Sequence, residues 1–422
     1  MQRQRRISCV FFLVFAPCLV LGADWPQFRG PTGQGISDEK GLPVEWSSSK
    51  NIEWKLKLPG AGASSPVTVG KRVYVTCYSG YGMETKDPGK QENLRRHLLC
   101  IDRADGKIIW SKEFEPLLPE HNYKGEGAYQ GYAPSTPIIE GDKLYVFFGK
   151  TGVFCFDLDG KQIWQASVGK AFDARWGSGA SPMLYKNLLI VNASIESNAL
   201  VALDKATGKE VWRAPKINSS WGTPVLVTTP EKTQELALNM QGRVAGFDPD
   251  TGKELWSAKG HGNYVCPSVV VHGNIVYAVG GGGTSLAIKS GGRGDVTETH
   301  VLWKSNKGSN ASSPIYLDGI LYWTSESGGV LHFQDAATGK STEQRLVPDV
   351  RRMWASPVLA DGKMYFVSQD KGVYVVAARP KLELLAHNVF EDDKSRSNAS
   401  LAVSDGQLFL RNDQYLYCIG KR

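Results

Sequence analysis

Asp204-Lys205-Ala206-Thr207-Gly208-Lys209-Glu210-Val211-Trp212 and Ser356-Pro357-Val358-Leu359-Ala360-Asp361-Gly362-Lys363 are two pieces of one recurring unit, and their spacing decides the fold. The unit reads small residue, Ser-Pro, apolar run, Gly-Lys, an alternating strand with Tyr, then Asp, Thr-Gly-Lys and Trp. It returns roughly every 43 to 46 residues, the period of a four-stranded propeller blade. Clear copies begin at Ser65-Pro66, Thr136-Pro137, Ser181-Pro182, Thr223-Pro224, Ser313-Pro314 and Ser356-Pro357. Cys266-Pro267-Ser268 and Ser400-Leu401 fill the same slot with variation.

Each piece has a physical reading. Pro357 suits the first position of a short apolar strand, where a missing N–H does least damage. Asp361-Gly362 is a hairpin turn, because both residues tolerate positive φ. Lys363 to Ser368 alternates, with Tyr365 and Val367 on one face of a half-buried strand. Further on, an Asp such as Asp204 bonds the N–H groups that follow it, and Gly208 supplies the left-handed residue. Trp follows each such Gly by four residues, at Trp110, Trp164, Trp212 and Trp256. A ring repeated at that position predicts packing between neighbouring sheets.

Eight slots predict an all-β, eight-bladed propeller of four-stranded antiparallel blades. The last copy, from Ser400, ends after its third strand at Tyr415–Ile419. The stretch Asn51-Ile52-Glu53-Trp54-Lys55-Leu56 is a Trp-bearing outer strand without a blade. Pairing the two closes the ring and removes two bare edges. Residues 23–422 then form one domain, since a propeller grows by adding blades.

Residues 1–22 are set apart. Arg3, Arg5 and Arg6 precede the apolar run Cys9 to Leu21 and the small pair Gly22-Ala23, the pattern of a secretory signal peptide. A periplasmic or secreted protein is expected, with no transmembrane segment after cleavage, and as a monomer. Cleavage lowers the formal charge from +7 to about +4. That mild balance, without a basic run interleaved with aromatics, excludes nucleic acid as an expected partner. Cys77, Cys100, Cys155, Cys266 and Cys418 lack a disulfide-framework spacing. They read as small buried hydrophobes, with a Cys77–Cys100 bridge on adjacent strands left open.

Topology assigns the faces. Turns between second and third strands share one face with the links between blades. Two insertions fall there, at about 78–97 and 113–133, predicting a lobe over part of the channel mouth. The link segments bring Tyr132, Arg175, Trp176, Trp221, Tyr264, Asn310, Arg351, Arg352, Trp354 and Arg396 to the same mouth. Such an aromatic and basic ring suits an anionic planar ligand or an acidic glycan. The same residues would equally pack neighbouring blade entries, the simpler reading for all but Arg175, Trp176, Arg352 and Trp354. The seven histidines show no metal spacing, so no metal site is assigned. Gly280 to Gly283 precedes no helix and is a turn rather than a phosphate loop.

The repeat, best kept at Asp204 to Trp212, resembles the pyrroloquinoline-quinone (PQQ) repeat of quinoprotein propellers. The segment Asp24-Trp25-Pro26-Gln27-Phe28-Arg29-Gly30, with Gly291 to Asp295 and His300 to Trp303, is similar to secreted propellers of planctomycete type. The resemblance implies two families of function. One is a PQQ-dependent alcohol or sugar dehydrogenase using Ca²⁺, whose adjacent Cys-Cys pair and ligand set are not found in this chain. The other is the non-enzymatic outer-membrane barrel-assembly propeller. With no catalytic constellation assignable, the expected function is a non-catalytic binding module for a protein or glycan of the cell envelope.

Overall fold

Trp54 lies opposite Cys418, because Ile52–Lys57 runs antiparallel to Tyr415–Ile419 as the outer strand of the last blade. The computed structural model describes residues 23–421 apart from 171–175, 327, 347–349 and 351. The signal-peptide expectation for residues 1–22, and the candidates Arg175 and Arg351, therefore lie outside the described residues.

Eight antiparallel sheets surround an axis. First strands at Val67–Val69, Ile138–Glu140, Met183–Tyr185, Val225–Thr228, Val270–His272, Ile315–Leu317, Val358–Ala360 and Ala402–Ser404 begin blades 1 to 8. The core is divided into layers between neighbouring sheets. One layer joins Val73 and Val75 of blade 1 to Leu408 and Leu416 of blade 8. Another joins Ile190 and Leu200 of blade 3 to Leu236 and Leu238 of blade 4.

The repeated Trp bridges these layers. Trp110 donates its indole N–H to the Leu158 carbonyl at 3.0 Å, Trp164 to Lys205 at 3.1 Å and Trp212 to Pro249 at 3.2 Å. Each ring covers the turn glycine of the next blade, Gly160, Gly208 or Gly252, where a Cβ would collide with it. The turn is held as its sequence predicts: Asp204 Oδ1 accepts from the Thr207 N–H at 2.9 Å and its hydroxyl at 2.7 Å, before Gly208 at φ +74°. Trp256 departs from the pattern. In blade 5 an insertion at 290–300 replaces the turn, and Trp256 donates instead to Glu235 at 2.7 Å. Glu235, 1% exposed, also accepts from Gly291 N–H at 3.2 Å and Arg293 at 2.9 Å.

Residues 24–35 cross the axis under the first strands. Carbonyls of Trp25, Pro26 and Gly35 accept from Thr68, Ile139 and Leu359 of blades 1, 2 and 7 at 2.8–2.9 Å. Gln34 accepts from Val271 of blade 5 at 2.9 Å, and the fully buried Arg29 donates to the Pro314 carbonyl of blade 6. This segment floors the channel.

Cys77 and Cys100 do not bridge. Cys77 is opposite His97 and Cys100 opposite Tyr74, an odd offset that sends them to opposite faces of the sheet. Cys77, Cys100, Cys155 and Cys418 are buried and Cys266 is half-buried.

Candidate functional site

At the start of each first strand a hydroxyl accepts the backbone N–H of the slot before it. Thr136 accepts from Ser65 at 2.9 Å, Ser181 from Thr136 at 3.0 Å and Thr223 from Ser181 at 3.2 Å. Ser268, Ser313, Ser356 and Ser400 continue the chain at 2.9–3.1 Å. The girdle is open only at the seam of blades 8 and 1, where Ser65 Oγ has no partner. In blade 5 the hydroxyl comes from Ser268, so Cys266 stands two residues before the slot rather than in it.

That earlier position faces the axis in every blade. Trp221, Cys266, Trp354 and Asn398 occupy it in blades 4, 5, 7 and 8, and line a central cavity of about 160 Å³. Ala63, Pro134 and Gly179 hold it in blades 1 to 3 and Ala311 in blade 6, so the blade 1 to 3 side of the mouth carries no large side chain at this level. The insertions fill the gap. Gln91 of the first exchanges hydrogen bonds with Glu120 of the second, both at 2.9 Å, and Tyr81 packs on Tyr132 at 5.4 Å. The short helix Glu126–Gln130 lies across the mouth between Gly125 (φ +58°) and Gly131 (φ +66°). Its Tyr129 meets Trp354 edge-on at 5.3 Å, with Arg352 at 4.5 Å and Arg396 at 5.5 Å from its ring centroid. Arg396 also donates to Tyr123 at 3.0 Å and to Asp413 at 2.9 Å, and Asn398 donates to the Tyr129 carbonyl at 2.7 Å. Phe28 of the crossing segment forms the floor.

The sequence candidates thus fall into groups. Trp176, Trp221 and Tyr264 form one aromatic cluster, with Trp176 4.4 Å from Tyr264 and 5.5 Å from Trp221. They line the cavity with Asn310 and Trp354. Arg352 stands behind Tyr129 at the mouth. Tyr132 is 2% exposed, packs at a tilt on His121 with ring centroids 4.5 Å apart, and belongs to the core of the lobe. Tyr129, Gln130, Phe28, Glu326 and Asn398 were not anticipated. Asn398 was legible, since it precedes Ser400 as Trp354 precedes Ser356; the others sit in irregular segments.

Beneath the lobe lies a buried charged cluster. Arg96 pairs with Glu120 at 2.7 Å, both nearly sealed from solvent, and donates to the Tyr132 carbonyl at 2.7 Å. Glu196 accepts from Ser178, and burial pushes its carboxyl up to about 7. Burial likewise pushes His121 down to about 4.

The PQQ-like repeat implies a quinone held with Ca²⁺, and the residues of the mouth bear on that fit. Among the described residues no group of three or more His, Cys, Asp or Glu is placed to hold a metal ion. Ca²⁺ would need about six to eight oxygen ligands. The cavity is also smaller than the roughly 300–1,000 Å³ usual for drug-sized ligands. The residues as arranged do not fit a tricyclic quinone with its Ca²⁺.

Hydroxyl girdle, Trp-bridged blades and closed ring define a PQQ-like-repeat propeller. A family model described as outer membrane protein assembly factor BamB matches residues 36–175 and 94–345, and the chain belongs to that family. It is 26% identical over 365 residues to the outer membrane protein assembly factor BamB of Burkholderia pseudomallei, covering 75% of this chain and 84% of that protein. It is 23% identical over 290 residues to the tetrathionate hydrolase of Acidithiobacillus ferrooxidans, covering 64% of this chain and 53% of that enzyme. The quinohemoprotein alcohol dehydrogenase of Comamonas testosteroni shares the fold, with a TM-score of 0.62 at 11% identity over 95% of this chain and 81% of that one. No helix among the described residues is long and apolar enough to cross a membrane.

Proposed function

We propose that this chain is a non-catalytic binding propeller of the cell envelope, periplasmic or secreted, whose insertion-bearing face holds a protein partner or a glycan. The carrying observation is the mouth itself: an aromatic, amide and hydroxyl-lined cavity with the lobe folded over it. Its walls offer hydrogen bonds and flat apolar faces, the equipment of recognition. The assembly-factor relative works with other envelope proteins by its name, which supports the envelope setting and favours a protein partner in an assembly complex as the narrower reading.

The test is retention of envelope proteins and of arrayed glycans by the purified chain. Trp354→Ala together with Arg352→Ala should lower retention by about tenfold. Retention of nothing, or retention untouched by both changes, would remove the reading.

A further inference from the structure

The rings around the axial cavity enclose a single charge. Phe28, Tyr129, Trp176, Trp221, Tyr264 and Trp354 line it, and among the described residues Glu326 is the sole charged one that does so. Glu326 is half-buried on the turn between Ile320–Thr324 and Val330–Asp335 of blade 6, the same face as the link segments. Its carbonyl accepts from the Met353 N–H at 3.2 Å, which places it beside the segment that carries Trp354. Among the described residues no hydrogen bond or ion pair reaches its carboxylate. Before the first strand of the same blade, the Asn310 amide nitrogen is 3.5 Å from the Tyr264 hydroxyl, and Trp176 and Trp221 pack on Tyr264 at 4.4 and 6.1 Å. One carboxylate on an arc of aromatic rings favours a cation, through its own charge and through the negative ring faces.

The polar groups decide which cation. The girdle hydroxyls already accept backbone N–H groups. The Asn398 amide is bonded at both ends, to the Tyr129 carbonyl at 2.7 Å and to Gln369 at 2.8 Å. A primary ammonium brings three N–H donors and would find few acceptors here, whereas a fully alkylated one brings none. Tyr129 is already engaged by the guanidiniums of Arg352 and Arg396, the second offset by Asp413 at 2.9 Å. The seat for a ligand's charge is therefore Glu326 and its flanking rings. The volume, about 160 Å³, equals roughly five waters at ~30 Å³ each, the size of a trimethylammonium head and little more. The helix Glu126–Gln130 across the mouth suits a free ion better than one carried on a bulky chain. We propose that the axial cavity binds one small quaternary ammonium ion of the choline class, its alkylated head among the rings and its charge against Glu326. This goes beyond the partner-binding role, since the ion sits on the axis beneath the lobe rather than on the outer face.

The probe is choline, titrated calorimetrically into the full chain. Two parallel ligands separate shape from charge: 3,3-dimethylbutan-1-ol has the same outline without the charge, and ethanolamine has the charge with N–H donors. Labelling of Cys266, which also lines the cavity, by a small thiol reagent gives a second readout. The expected result is saturable choline binding, about tenfold tighter than either parallel ligand, with slowed Cys266 labelling. Glu326→Gln should weaken choline binding about tenfold and leave that of the neutral alcohol unchanged, with the same thermal melt. Trp354→Leu should weaken it about three- to tenfold, while Trp354→Phe keeps it within about threefold. Equal binding of the alcohol, preference for ethanolamine, indifference to Glu326→Gln, or no saturable binding overturns the inference. The chain should not float with phosphatidylcholine vesicles; flotation that choline competes away would overturn the free ion as the ligand in favour of a lipid headgroup. Retention of envelope partners without choline binding removes this inference alone, and choline binding without retention leaves it standing while the partner-binding role falls.

Discussion

Trp54 lies flat on Gly106, its indole N–H on the Arg103 carbonyl at 2.7 Å, so the strand that closes the ring is stapled to the first blade as well as the last. A Cβ at Gly106 would stand 2.7 Å from the Trp54 ring, on a residue at φ +74°. Gly106→Ala should therefore lose about 2–4 kcal/mol in urea unfolding, from backbone strain and overpacking together. Gly362, at φ +67° with nothing within reach of an added Cβ, separates the two effects. Gly362→Ala should lose only about 1 kcal/mol. Equal losses would show that the Trp contact contributes nothing.

Glu235 replaces the missing turn of blade 5 by holding Trp256, Gly291 and Arg293 at once. Glu235→Ala strands a buried indole N–H and a backbone N–H, and should cost about 2–4 kcal/mol. Its effect should appear as early hydrogen exchange at 290–296, and uniform exchange across blades would contradict this.

Glu196 sets a pH dependence. Its folded value, about 7, stands above the unfolded carboxyl at 4.5, so the folded chain holds the extra proton between them. Stability from this group is intact below about pH 4.5, falls as pH rises, and is lost above about 7, a difference on the order of 3 kcal/mol. His121 has the reverse sign, since its lowered value makes the folded state shed a proton that the unfolded state keeps between about 4 and 6.5. Glu196→Gln isolates the first effect. The variant should match the parent near pH 4.5 and melt higher at pH 8, and a gap largest at low pH would refute the assignment.

Tyr129 is the only ring that the lobe sends between Arg352 and Arg396 among the described contacts. Tyr129→Ala should raise the rate of Cys266 labelling several-fold, with the four buried cysteines unaffected and the circular dichroism unchanged. An unchanged rate would mean that the helix does not control access.

The blades were legible because each signal is repeated: an Asp turn, a Gly and a Trp at constant offsets allow a weak local preference to be checked against its own copies. Closure followed from one orphan strand, Ile52–Lys57, and one incomplete blade. The floor was not legible. Phe28 and Arg29 lie in a stretch without period, and their positions are set by contacts with blades 5, 6 and 7 far along the chain. Tyr129 was hidden for a related reason, as one turn of helix inside a loop carries too short a pattern to announce itself. The arginine–aromatic mouth was anticipated in composition, while its geometry depends on the lobe that reaches across from the far side.

The pairing of Trp54 with Cys418 also sets an order of events. During synthesis the early strand is made long before its partner and must wait, bare-edged, while seven sheets assemble beside it. Contacts between such distant parts of a chain form slowly, and waiting edges invite wrong neighbours. A chain cut short within blade 8 would leave Ile52–Lys57 without the strand it latches to, an unlatched necklace rather than a slightly shorter wheel.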